Sequence, residues 1–164
     1  MTTSVHVTTA SPDDTRDVAA AIASVLTAGD VVALSGDLGA GKTCFVQGAA
    51  AWLGVATPVT SPTFVLVKLL PAAVPVVHVD VYRLEQLRHL DDLGEEVFAP
   101  DVITFVEWAE RLAGLLPADR LEVDLRHPPD GADEPSRRHL RVRGQGPRWA
   151  DRGPALERVL APWR

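Results

Sequence analysis

Cysteine is almost absent from this chain of 164 residues, with Cys44 as the single example. One cysteine excludes an internal disulfide and any metal site built from several thiolates. No apolar run reaches the roughly 18 residues that a membrane-spanning helix needs. Residues 1–10 are polar and threonine-rich and so lack the apolar stretch of a secretory signal. These absences predict a cytoplasmic protein that makes no contact with a membrane.

Positive charge is also scarce, because 22 acidic residues outnumber 16 basic ones and the net charge is −6. Bulk charge therefore does not argue for nucleic-acid binding. Residues 137–164 are the exception, with eight arginines against Asp151 and Glu157. This segment either docks on RNA or an acidic protein, or is a solvated and partly disordered tail. The predicted organisation is one domain at 1–145 and an arginine-rich tail at 146–164 with a short helix at 154–160.

The most informative stretch present matches G-x-x-x-x-G-K-[ST], the pattern of a phosphate-binding loop. Its residues are Gly36, Asp37, Leu38, Gly39, Ala40, Gly41, Lys42 and Thr43. Glycines let the backbone curl so that successive N–H groups face phosphate oxygens. Lys42 can reach the outer phosphates, and the Thr43 hydroxyl can bind Mg²⁺.

The context of this loop supports the interpretation. An apolar run at 31–34 predicts a buried strand before it, and a helix with Phe45, Ala49, Trp52 and Leu53 on one face follows it. An ordinary glycine turn that precedes a lysine by chance is the less favoured alternative. Cys44, directly after Thr43, is expected to pack or cap rather than to react.

The remaining chain predicts alternating strands and helices. Val5 and Val7 indicate a first strand, and Ser11 and Pro12 begin a helix that Gly29 follows. Strands are expected at 63–67, 74–81 and 102–106, and short helices at 85–98 and 109–116. Alternating segments at 121–125 and 139–143 predict a late antiparallel pair.

Two acids, Asp80 and Glu107, each follow an apolar strand and compete for the metal-supporting position. One can bind Mg²⁺ directly and the other through water or by orienting an attacking water. His78 shares a strand face with Asp80 but is more typical of a structural histidine than of a ligand. Hydroxyls around Ser61 and Thr63 either sense the outer phosphate or, on local sequence alone, bond their own backbone in a turn.

No glutamine is placed to direct hydrolysis, and no arginine stands out as a finger. The sequence therefore predicts slow ATP hydrolysis that depends on a partner. A small-metabolite kinase and a nucleotide-dependent binding module without turnover remain the alternatives.

Taken together, the motifs resemble the TsaE (YjeE) family of bacterial tRNA threonylcarbamoyladenosine biosynthesis. The resemblance runs from about Ser11 to Val142, and it depends on the phosphate loop together with the blocks at 61–64, 78–84 and 106–108. It implies a P-loop NTPase-like fold, a three-layer α/β/α sandwich with a mixed, mainly parallel sheet and a late antiparallel hairpin.

The resemblance also implies Mg-ATP binding with slow hydrolysis. The protein would support or reset a complex of TsaD and TsaB, its direct partners, and would meet tRNA only through that complex. Lys42 would hold phosphates, Thr43 and Glu107 would bind Mg²⁺, and Asp80 would support the metal and the attacking water. The other nucleotide-contacting residues would be those of the loop from Gly36 to Cys44, Ser61 and Thr63 of a switch, and Asp14 and Arg138 near adenine. Trp108 would pack near the site or touch a partner. Ala109, where many members have proline, and a long loop at 128–135 depart from the family.

Overall fold

The computed structural model describes residues 2–61, 66–82, 93–112, 114–129 and 134–164. Its strands are β1 (Ser4–Thr9), β2 (Val31–Ser35), β3 (Val67–Leu70), β4 (Val76–Asp80), β5 (Ile103–Glu107), β6 (Arg120–Arg126) and β7 (Arg138–Gln145). Its helices are α1 (Pro12–Ala23), α2 (Lys42–Trp52), α3 (Pro147–Ala150) and α4 (Gly153–Leu160), with 3-10 turns at Ala109–Leu112 and Ala161–Trp163.

One seven-stranded sheet carries the fold, in the order β1-β7-β6-β2-β5-β4-β3. The four central strands β6, β2, β5 and β4 are parallel to one another, whereas β7 and β3 pair antiparallel at the two sides. β1 then pairs antiparallel with β7. The mixed, mainly parallel sheet and the late hairpin of β6 and β7 confirm the predicted fold class.

Helix α1 begins where the sequence predicts. The Ser11 hydroxyl accepts a hydrogen bond from the Asp14 N–H at 3.0 Å, and the Asp14 carboxylate accepts one from the Ala10 N–H at 2.9 Å. Pro12 occupies the first turn, where its missing N–H costs no helical bond. The first turn of α1 lies beside the phosphate loop, because a Cβ on Gly41 would be 3.9 Å from Thr15 Cγ2.

The main hydrophobic core lies on the sheet face that α1, α2 and α4 cover. Helices α1 and α2 approach so closely that a Cβ on Gly48 would collide with the Arg16 backbone. The C-terminal segment belongs to this core, because Trp149, Leu156 and Leu160 are all buried there. The predicted helix at 154–160 is thus confirmed as α4, and the division of the chain at residue 145 remains a prediction.

Some local expectations differ from the structure. Trp52 is 61% exposed instead of joining the apolar face of α2. The helix expected at 109–116 is a single 3-10 turn, Ala109–Leu112, because Gly114 adopts a left-handed φ of 84° that ends it. β3 begins at Val67, later than the strand expected at 63–67, and residues 62–65 and 83–92 lie outside the described ranges. Among the residues described, no helix is long and apolar enough to cross a membrane.

Candidate phosphate and metal site

The glycine loop between β2 and α2 has the curled backbone that its sequence predicts. Gly36, Gly39 and Gly41 have φ values of 146°, 78° and 106°, which side-chain-bearing residues rarely adopt. A Cβ on Gly36 would also collide with the Leu125 carbonyl oxygen. Gly41 is the N-cap of α2, so the N-terminal end of that helix opens into the loop. The curled loop and the positive end of the helix dipole therefore lie together, as in the phosphate-binding loops that the sequence pattern describes.

Lys42 places its ammonium inside the curl of the loop. Its Nζ donates to the Gly36 carbonyl at 2.5 Å and to the Asp37 carbonyl at 2.9 Å. It also lies 3.8 Å from the centre of the Trp108 ring, a cation–π distance. Burial lowers the pKa of this ammonium from its usual value of 10.5, although nearby Glu110, Glu107, Asp80 and Asp37 oppose that shift. The Lys42 side chain is thus fixed inside the glycine loop by loop carbonyls and the Trp108 ring.

Thr43 and Glu107 form the centre of the candidate metal site. The Thr43 hydroxyl lies 2.8 Å from Glu107 Oε1 and 3.1 Å from Oε2, although 64 residues separate the two. Glu107 ends β5 and is buried, as is Lys42 at the first turn of α2. The structure therefore brings together the hydroxyl and one of the two carboxylates that the sequence singles out.

Asp80 lies beside Glu107 because β4 and β5 are parallel and these residues are register partners. Asp80 Oδ2 accepts from the Ser61 hydroxyl at 3.2 Å, and Oδ1 accepts from the Tyr82 N–H at 2.9 Å. Ser61 thus lies next to an acid of the site, and its role in a nucleotide-sensing switch stays a prediction. Thr63, predicted for the same switch, lies outside the residues that the structure describes.

An aromatic and cationic cluster borders the site. Trp108 has a φ of 61°, a conformation that costs a non-glycine residue about 1–3 kcal/mol. Its ring packs against Tyr82 at 4.7 Å between centroids, and the Arg111 guanidinium lies 4.9 Å from the Tyr82 ring centre. The strained backbone aims the Trp108 ring over Lys42, in agreement with the expectation that Trp108 packs near the site.

The two residues expected near adenine make protein contacts close to the loop. Arg138 donates to the carbonyls of Gly39 and Ala40, at 3.1 and 3.2 Å. Asp14 accepts from the Trp163 indole N–H at 2.7 Å, a contact that sequence analysis missed. Their roles toward adenine stay predictions, and both residues lie where they can act on the loop or on the start of α1.

The other loop residues divide into exposed and packed positions. Leu38 is 79% exposed at the tip, whereas Ala40 is fully buried. Cys44 is half-buried, and its thiol donates to the Pro12 carbonyl at 3.2 Å. Burial raises the pKa of this thiol, mainly through desolvation. Cys44 therefore packs against α1, as the sequence predicts, and is a poor nucleophile.

The second sheet face carries a cleft of about 780 Å³ that adjoins Gly36 and Asp37. Arg120, Glu122 and Arg143 line it opposite the Ala109–Leu112 turn. Sequence analysis did not anticipate this cleft, because its walls come from β2, β6, β7 and the residues around the Ala109–Leu112 turn, which meet only in the folded sheet.

The side chains beside the loop offer oxygen ligands, the kind that Mg²⁺, the cation implied by this type of loop, prefers. The ligands available are oxygens from Thr43, Glu107 and Asp80. Among the described residues, no group of three or more His, Cys, Asp or Glu side chains is arranged so that it could hold a metal ion by itself. Mg²⁺ is usually held by one or two carboxylates together with phosphate oxygens and waters, so the residues present fit it.

A mainly parallel sheet, a curled glycine loop leading into a helix, and acids at the ends of neighbouring strands define a protein of the phosphate-loop α/β class. The family described as "Threonylcarbamoyl adenosine biosynthesis protein TsaE" matches residues 9–138. The chain belongs to this TsaE family.

Individual relatives agree with this assignment. The chain is 44% identical to the Streptomyces coelicolor tRNA threonylcarbamoyladenosine biosynthesis protein TsaE over 82% of this chain and 93% of that protein. It is 40% identical to the Bacillus subtilis protein of the same name, over 77% and 80% of the two chains. A crystal structure of Bacillus subtilis YdiB superposes with a TM-score of 0.78 at 30% identity, and the match covers 96% of this chain and 97% of that one.

Proposed function

We propose that this protein binds Mg-ATP, hydrolyses it slowly, and uses that cycle in tRNA threonylcarbamoyladenosine biosynthesis. The names of its relatives supply the pathway. The observation that carries the ATP proposal is the contact of Thr43 with Glu107 directly beside the Lys42 ammonium. The Thr43 hydroxyl, the Glu107 carboxylate and the Lys42 ammonium thus lie near one another at the start of α2.

Each residue of the site has a definable task in this proposal. The loop N–H groups and Lys42 hold the phosphates, and Thr43 and Glu107 hold the cation. When bound, Mg²⁺ would neutralise charge on the outer phosphates. Asp80, held by Ser61 and the Tyr82 N–H, orients a water or supports the cation through one. Ser61 links the site to the segment that follows it and so can report on the nucleotide.

The partners proposed are the TsaD and TsaB proteins, whose complex this ATPase would support or reset, with tRNA reached only through that complex. This places the protein in the cytoplasm. Among the described residues no arginine lies within the phosphate loop, and Arg111 is stacked on aromatic rings at its border. A site of this kind is expected to hydrolyse ATP slowly until a partner completes it.

The test combines binding and turnover. Calorimetry should show ATP affinity that depends on Mg²⁺, and phosphate release should rise when TsaD and TsaB are added. Glu107→Ala should bind ATP without strong Mg²⁺ dependence and should fail to support tRNA modification, whereas Glu157→Ala, on the exposed face of α4, should behave as wild type. Normal tRNA modification with Glu107→Ala would contradict a role for hydrolysis.

A small-metabolite kinase is the second candidate, and the 780 Å³ cleft beside Gly36 and Asp37 is the observation that favours it. The two candidates differ in the fate of the γ-phosphate. Labelled ATP should yield inorganic phosphate if the protein is an ATPase. Label recovered on a small molecule from a metabolite extract would support the kinase instead.

A further inference from the structure

His78 is a buried titratable side chain to which no part of the proposed function has yet been assigned. It lies in β4, is 0% exposed, and places Nε2 2.5 Å from Glu107 Oε2. Its other ring nitrogen, Nδ1, is buried without a hydrogen-bond partner among the residues that the structure describes. The imidazole therefore makes one polar contact there, and that contact is with the central acid of the candidate metal site.

The contact assigns the ring proton. A carboxylate oxygen can only accept, so the ring N–H that meets Glu107 Oε2 is the one on Nε2. His78 is thus a fixed donor to Oε2 of Glu107.

This donor distinguishes the two oxygens of the carboxylate. His78 contacts Oε2. The Thr43 hydroxyl lies closer to Oε1, at 2.8 Å, than to Oε2, at 3.1 Å. A free glutamate side chain has several rotamers, and holding one of them before the cation arrives removes part of the entropic cost of binding. Histidine and carboxylate partners of metal ligands commonly act in this way.

We propose that His78 is a positioning residue that holds Glu107 in the rotamer in which Oε1 and the Thr43 hydroxyl together face a divalent cation. This inference deepens the proposed function and depends on it. A purely structural histidine would stabilise the sheet without altering cation affinity. The two roles therefore predict different results when cation binding and nucleotide binding are measured separately.

The test uses substitutions that keep or remove the donor. His78→Gln can place an amide N–H near the position of Nε2, whereas His78→Leu removes the donor at similar volume. Thr104→Val is the matched control, because Thr104 is a buried polar residue of β5 whose hydroxyl oxygen accepts from the Phe98 N–H rather than from a residue of the site. For each variant, calorimetry measures ATP affinity in EDTA and then the affinity of Mn²⁺ for the ATP-bound protein.

His78→Leu should lose about 10- to 100-fold in Mn²⁺ affinity, as removal of outer-shell partners typically does. Its ATP affinity in EDTA should stay within about twofold of wild type, since the loop and Lys42 are unchanged. His78→Gln should recover most of the loss, and Thr104→Val should match wild type in both measurements.

Other outcomes would overturn the inference. Unchanged Mn²⁺ affinity in His78→Leu, or an equal loss of metal-free ATP binding, would make His78 structural only. Should His78→Leu not fold, His78→Gln is compared with His78→Asn, whose amide reaches the Nδ1 position instead, and equal Mn²⁺ affinities would reject positioning. A wild-type protein without metal-dependent ATP binding would reject the proposed function itself.

Discussion

The Thr43 hydroxyl lies within hydrogen-bonding distance of both oxygens of the Glu107 carboxylate, at 2.8 and 3.1 Å. One residue comes from the first turn of α2 and the other from the last position of β5. Helix α2 is therefore docked on the sheet so that the end of the phosphate loop lies against the acid. The strongest predictions concern this pair.

Replacing Thr43 by valine removes the hydroxyl at nearly constant volume. We expect the affinity of ATP in the presence of Mg²⁺ to fall at least about tenfold, because losing a ligand should cost no less than losing an outer-shell partner. Thr43→Ser keeps the hydroxyl and should stay close to wild type. Calorimetric titration with and without Mg²⁺ measures the effect, and equal affinities for the two variants would contradict a metal-binding role for the hydroxyl.

Lys42→Met should change how stability depends on pH. Burial lowers the pKa of the ammonium, so between that lowered value and about 10.5 the unfolded chain binds more protons than the folded one. Through this range, rising pH should increase the unfolding free energy of the wild type relative to the variant. Urea midpoints at about pH 7 and pH 10 test the sign. Lys68→Met measures the effect of losing one lysine charge elsewhere, and parallel pH profiles for wild type and Lys42→Met would refute the prediction.

Asp30 anchors the C-terminal segment to the loop before β2. Its buried carboxylate accepts from both terminal nitrogens of Arg152, at 2.9 and 2.7 Å, and from the Thr27 N–H at 2.7 Å. Asp30→Ala should destabilise the protein by about 3 kcal/mol, near the low end for a broken buried pair because Arg152 stays partly exposed. Urea unfolding measures this loss, and the exposed Asp151→Ala should change stability by less than about 0.5 kcal/mol. If Asp30→Ala lost no more unfolding free energy than Asp151→Ala, the Asp30–Arg152 pair would not contribute to stability.

Glu122, which joins β6 to β7 through Arg143, should respond to acid. Burial alone would raise the pKa of its carboxyl, but hydrogen bonds from Arg143 and Arg120 outweigh that effect and lower it below the usual 4.5. A lowered carboxyl pKa stabilises the folded state above about pH 4.5, and that contribution disappears as pH falls through the lowered value. Glu122→Gln should therefore cost up to about 1 kcal/mol at pH 7 and nothing in strong acid. Urea unfolding across this range is the measurement, and a pH-independent difference would argue against the ion pairs.

The sequence alone was sufficient to predict features that are determined by residues close together in the chain. The β2–loop–α2 unit, the caps of α1, and the acids at the ends of β4 and β5 all lie within short segments whose patterns are specific. The carboxyl ends of parallel strands meet at one edge of a sheet, so both acids are expected at that edge, whereas the register that makes Asp80 and Glu107 neighbours is seen only in the structure.

Contacts between distant segments could not be predicted in the same way. The bond from His78 to Glu107 requires the relative position of two strands, and the bond from Trp163 to Asp14 spans 149 residues. Composition left open whether the arginine-rich segment packs on the domain, because the sequence of a charged stretch does not show whether its few apolar residues are buried. Trp149, Leu156 and Leu160 are buried in the core, whereas a docking role of the segment on RNA or protein stays a prediction.

The side-by-side register of Asp80 and Glu107 limits where this chain can change in length. Successive residues of a strand point to opposite faces, so a single insertion within Val76–Asp80 would turn the aspartate away from its neighbour. The register by itself sets no such limit on the number of residues between β4 and β5. Relatives can therefore gain or lose residues between the two strands and still preserve the spacing of the acids, while the strands themselves must keep their length.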